Sequence, residues 1–102
     1  MINMDYAKFM KSSSITRPMC IDIHYEIRDL LTEIMDSGVR EYMYFGMNVE
    51  KMSNMTKALK LLCKDVKIDY DIESMEYKIN MENCDISNVF IMHQMYDVNE
   101  HW

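Results

Sequence analysis

The stretch NVEKMSNMTKALKLLCKDVKIDYDI, residues 48–72, reads as a helix followed by a strand, and its reading decides the fold. Asn48 offers an N-cap, Glu50 stands in the first turn, and Met52, Met55, Leu59 and Leu62 fall on one face of a helix. VKIDYDI then alternates apolar and charged residues, the period of a half-buried strand. Such a unit is either the recognition helix and wing of a DNA-binding domain or one αβ step of a layered sandwich.

Upstream, the pattern from Asp22 is helical. Ile23, Ile27, Leu30, Leu31 and Ile34 recur at helical spacing, and Asp36-Ser37-Gly38 ends the run with glycine where a left-handed residue is wanted. REYMYFGM, 40–47, is a short apolar and aromatic run that suits a buried strand or one short helix. MEYKINM, 75–81, satisfies strand and helix periods alike. NVFIM, 88–92, is a strand-like run that also fits a closing helix. Residues 1–19 carry a short helical pattern (Tyr6, Phe9, Met10) and then polar breakers, and are expected to form a loosely packed N-terminal arm.

Two folds compete. A winged helix would use a helix over 22–36, a short supporting helix over 40–45, a recognition helix over 49–63 and a wing hairpin over 66–81. Only about one and a half turns lie between Gly38 and Gly46 for the supporting helix, and the chain is acidic. A small three-layer αβα sandwich with a mixed sheet instead takes 40–47, 66–72 and 88–92 as strands. Helix 49–63 then becomes the right-handed crossover between parallel strands. The α/β sandwich uses all three apolar runs and is the expected fold, with residues 1–102 as one domain.

Composition bounds the function. The chain has 102 residues, 49% hydrophobic, with a net charge of −6. That is the composition of a globular domain and not of a disordered one. Two Gly and one Pro beside 13 Met and 7 Tyr point to an A/T-rich gene, with methionine as adaptable core filling. Cys20, Cys63 and Cys84 form no CxxC pair, so reduced core thiols are expected. Asn54 opens a glycosylation sequon, but inside an amphipathic helix, where it is discounted. The N-terminus lacks the apolar core of a signal peptide, and no run approaches membrane-spanning length. The expectation is a soluble, cytoplasmic protein. His24, His93 and His101 pair with no cysteine by spacing. No metal motif occurs, and two glycines allow no phosphate loop, so neither enzyme activity, cofactor nor metal is expected.

Charge is better organised. Asp22, Glu26, Asp29, Glu33 and Asp36 fall within an arc of roughly 80° on the first long helix, as a solvated face or a protein-binding patch. Lys57, Lys60 and Lys64 occupy roughly 60° of the second, with Lys67 just beyond. That stripe suits nucleic-acid phosphates or ordinary solvation.

A family resemblance rests on three segments. EIRDLLTEIMDSGVREYMYFGMNV (26–49), MTKALKLLCKDVKIDYDI (55–72) and VFIMHQMYDVNE (89–100) run collinear with the kink-turn RNA-binding family of ribosomal proteins, the L-seven-Ae type, and its acidic eukaryotic small-subunit branch. The likeness is mostly apolar pattern. Glu26 stands where the family has glycine, Asp29 where it has glutamate, and ESMEYKINMENCDIS (73–87) replaces a longer loop. The resemblance implies a non-catalytic component of a ribonucleoprotein, a reduced small-subunit ribosomal protein. Lys57, Lys60, Lys64, Lys67 and the weaker candidate Arg28 would then meet ribosomal RNA beside neighbouring ribosomal proteins. The alternatives are a viral or phage accessory protein that inhibits a host protein through the acidic helix, and a winged-helix regulator.

Overall fold

The computed structural model describes residues 4–96; His101 and the last four residues of the 89–100 segment fall outside them. In chain order the elements are α1 (Met4–Met10), α2 (Arg17–Ser37), β1 (Glu41–Phe45), α3 (Val49–Leu62), β2 (Lys67–Asp71), β3 (Glu76–Asn80) and α4 (Ile86–Gln94). The two long helices begin and end on local chemistry. The Thr16 hydroxyl accepts from the Met19 N–H, Pro18 sits in the first turn, and Gly38 closes α2 at φ 76° with its N–H donated to the Ile34 carbonyl. On α3 the Asn48 side chain accepts from the Lys51 N–H, and Cys63 leaves the helix extended.

The fold is a mixed α/β one with an open sheet of three antiparallel strands in the order β1-β3-β2. Its inner face packs Tyr42, Tyr44, Ile68, Tyr70, Tyr77 and Ile79 against the helices. Its outer face carries Glu41, Met43, Phe45, Lys67, Asp69, Asp71, Glu76, Lys78 and Asn80, and no described helix covers it. This corrects the expected sandwich in three ways. There are two layers and not three, the sheet is antiparallel and not mixed, and 88–92 is helical. The Asp85 side chain caps α4 by accepting from the Asn88 N–H, and Ile86, Val89 and His93 form a buried stripe at i, i+3 and i+7. The third strand is β3, the segment whose period was ambiguous, and it takes the centre of the sheet with Tyr77 and Ile79 fully buried.

The winged-helix alternative is also resolved. The β2–β3 hairpin stands where a wing would, but 41–45 is a strand. Only α3 lies between β1 and β2, so there is no helix-turn-helix pair. Helix α3 is fixed over the central strand by the Thr56 hydroxyl, 2.8 Å from the Tyr77 hydroxyl.

Residues 4–19 are no loose arm, because Tyr6, Met10 and Ile15 are buried in the core. Tyr6 anchors them. Its hydroxyl lies 2.9 Å from His24 Nδ1, and its ring meets Tyr96 edge-on. The His24 ring stacks on His93 with centroids 4.0 Å apart and planes 14° from parallel. His93 Nε2–H donates to the His24 carbonyl at 2.8 Å, an i to i+69 bond that locks α4 onto α2. Burial pushes His93 down to about 4, with Arg28 adding a smaller push the same way.

The expectation of three reduced thiols is overturned as well. Cys63 and Cys84 are joined in a disulfide, Cα–Cα 6.3 Å, tying the end of α3 to the turn before α4, while Cys20 is buried and lies outside the bridge.

Two stability measurements follow from these contacts. The unfolded chain takes a proton on His93 near pH 6.5 and the folded one only near 4, so stability is unaffected above pH 6.5 and falls below it. The slope is about 1.4 kcal/mol per pH unit. Chemical denaturation between pH 7 and 5 shows this slope, and a His93→Leu variant lacks it. Breaking the bridge releases a loop of 21 residues' separation. Reduction, or the double change Cys63→Ser and Cys84→Ser, therefore lowers unfolding free energy by about 3 kcal/mol.

Candidate functional site

Helix α3 turns its buried side, Met52, Met55, Ala58, Leu59 and Leu62, onto the core. Lys57 and Lys60 stand on the opposite side and Lys64 follows in the turn after the helix, all three exposed. At about 100° per residue Lys57 and Lys60 share one outward stripe away from the sheet, and Lys64 lies just past the helix, after the extended Cys63. The other two candidates lie apart from α3's outer side. Lys67 opens β2 and is exposed on the sheet's outer face, whereas α3 covers the inner one. Arg28 is exposed on the flank of α2 nearest α4, as its influence on His93 shows.

The acidic residues of α2 do line one face, and they do not behave as a unit. Lys51, from the first turn of α3, places its Nζ 3.2 Å from Asp22 Oδ1 and 3.5 Å from Glu26 Oε1. These are the ion pairs found among the described residues. Asp29, Glu33 and Asp36 remain exposed, and none of Lys57, Lys60 and Lys64 meets a described carboxylate. Glu26 and Asp29 also bear on Tyr44 of β1, whose phenol is raised to about 12 by burial first and by these carboxylates second. The acidic flank of α2 therefore runs beside the inner edge of β1.

His24 and His93 are buried and bonded into the core. No group of three or more metal-binding side chains occurs among the described residues. The depressions among the described residues include three shallow ones. Two, of about 190 and 250 Å³, lie on the outer face of the sheet around Asp69 and Lys78. In the first, Asp71 accepts the Glu73 and Ser74 N–H groups, which hold its carboxyl below the usual range. The third, about 240 Å³, lies between the end of α2 and the start of α4. No helix among the described residues is long and apolar enough to cross a membrane.

Comparison with models of known protein families, with curated proteins and with solved structures finds no match to the chain.

What the sequence reading did not find is the uncovered side of the sheet, where Phe45 is 68% exposed and Met43 is 41% exposed. The signal was present. In EYMYF the tyrosines alternate with Met43 and Phe45, so one half of an apolar run had to face outward.

Proposed function

We propose that the chain is a non-catalytic, cytoplasmic component of a ribonucleoprotein, docked on RNA phosphates through Lys57, Lys60 and Lys64. The observation that carries this reading is the set of three exposed cations on α3 and the turn after it, unpaired with any described carboxylate, on an otherwise acidic molecule. Phosphate contacts of this kind hold a protein in place without reading sequence. The resemblance of residues 55–72 to the kink-turn family supports the same surface, and the small ribosomal subunit is the assembly it suggests. The family's fold lends no support, since its implied third strand, 88–92, is here α4. Lys67 and Arg28 leave the proposed interface because they point elsewhere. The acidic face as a whole is less suited to a partner than it looked in sequence, with Asp22 and Glu26 already held by Lys51.

Fluorescence anisotropy with a labelled RNA hairpin tests the reading. Three phosphate contacts give a drop in affinity of roughly 20- to 40-fold between 50 and 200 mM salt. The triple change of Lys57, Lys60 and Lys64 to Glu abolishes binding and flattens that dependence, with unchanged circular dichroism. RNA binding that survives the triple change in a folded protein removes the lysines from the interface. Sedimentation of native extract then identifies the assembly: co-migration with the small ribosomal subunit that is lost at high salt is the expected profile.

A further inference from the structure

The open edge of the sheet at β1 has a defined hydrogen-bonding phase. Met81 N–H donates to the Arg40 carbonyl at 2.8 Å and Gly46 N–H to the Met75 carbonyl at 3.1 Å, in the same register as the β1–β3 pairs between them. In an antiparallel ladder every second residue bonds the neighbouring strand. Tyr42 and Tyr44 therefore face β3, while Glu41, Met43 and Phe45 turn three N–H and three C=O groups away from the sheet. No described strand meets them.

The two edges of the sheet differ. Strand β2 carries three charges in five residues, Lys67, Asp69 and Asp71, the kind of edge that discourages strand addition. Strand β1 has a single charge, Glu41, and neither lysine nor proline. Beside its outward groups stand the exposed side chains of Met43 and Phe45.

The inner side of this edge is acidic. Helix α2 lies along it, with the Ser37 and Tyr42 hydroxyls 2.9 Å apart near one end and Glu26 and Asp29 acting on Tyr44 near the other. The exposed carboxylates of Asp29, Glu33 and Asp36 follow one another on that flank. Glu41 and Glu76 add negative charge on the outer side. Of the nearby cations, Arg40 is committed to the Cys84 carbonyl at 3.1 Å, and Lys78 sits one strand in.

We propose that the β1 edge takes up an extended basic peptide as a fourth, antiparallel strand. Its backbone pairs with Glu41, Met43 and Phe45. Side chains alternate across a strand, so the residues opposite these three share the outer face with Met43 and Phe45 and are apolar. The residues between them point toward α2 and are Lys or Arg, within reach of Asp29 and Glu33. The recognised chemistry is thus an alternating apolar–basic segment. A second copy of this chain fits poorly, because β1 paired with itself brings together two acidic α2 flanks on molecules of net charge −6.

The probe is a labelled Lys-Val-Lys-Val-Lys-Val-Lys peptide, with its Glu-Val counterpart as control, read by anisotropy and by residue-resolved hydrogen exchange. The basic peptide is expected to bind and to slow exchange at the amides of Met43 and Phe45 at least tenfold, and the acidic peptide to do neither. Met43→Pro removes an outward N–H that β3 does not use, and is expected to weaken binding at least tenfold. The exposed double change Asp29→Lys, Glu33→Lys leaves the edge intact and weakens binding to a similar extent. The proposal is overturned if the basic peptide fails to bind the wild-type protein, or binds without protecting these amides, or binds folded variants as tightly as the wild type. It is overturned equally if Met43 and Phe45 are already protected in a dimer detected by ultracentrifugation, which would give the edge to a second copy.

Discussion

The contact on which this structure depends is the buried stack of His24 on His93. Two imidazoles in an apolar interior are costly; each makes at least one hydrogen bond, while His93 Nδ1 finds no partner among the described residues, and the charge is withheld. Here Tyr6 reaches His24 from α1, and His93 reaches the backbone of α2 from α4. The cluster therefore joins the N-terminal helix, the longest helix and the last helix. Keeping His93 neutral is part of the arrangement, because a charged ring could not be desolvated here without a counter-ion. The buried rings around it, Tyr6 and His24, help to exclude the water that would restore its ordinary titration.

With the helices joined in this way, the sheet has only to cover one side of the core. That explains its pattern of tyrosines. Tyr44, Tyr77 and Tyr70 align in register across the three strands on the inner face, each presenting an apolar ring inward. Tyr77, at the centre, is fully buried, and its hydroxyl is satisfied by Thr56 of α3. The opposite face has no second helical layer to pack against. Its charges and its Met43–Phe45 pair are consequently available for association, while α3 presents its lysines on the far side of the molecule.

The long elements were legible because their periods are unambiguous. The stripe from Ile23 to Ile34 and the faces of 49–62 and 67–71 read correctly from residue spacing alone. The short elements were not. In the segment 76–80 both periods are present, and only pairing with two neighbours makes it a central strand. Ile86–Gln94 looked like a strand because Val89 to Met92 is uniformly apolar, yet one side of that run, at Ile91, stays exposed, and the Asp85 cap decides for a helix. The same limit applied to the candidate site. A helical wheel places Lys57 and Lys60 on the outer side of α3, but that helix ends at Leu62, before Lys64. The wheel could not show that Lys67 leaves on the other face of a sheet, or that Arg28 flanks α4. Nor does any spacing reveal that Cys63 meets Cys84, which depends on where β3 returns the chain.

The bridge between Cys63 and Cys84 has a mechanical meaning. It encloses the β2–β3 hairpin in a covalent ring, with the α3 side and the α4 side of the chain meeting at one sulfur–sulfur bond. A force applied at the two ends of the polypeptide travels through that bond and bypasses the hairpin. The ring withholds on the order of 70 Å of contour length from any pull, at roughly 3.5 Å per residue. A translocase or unfoldase drawing on one terminus would meet it as a knot-like obstacle, two chains thick, until the bond is reduced.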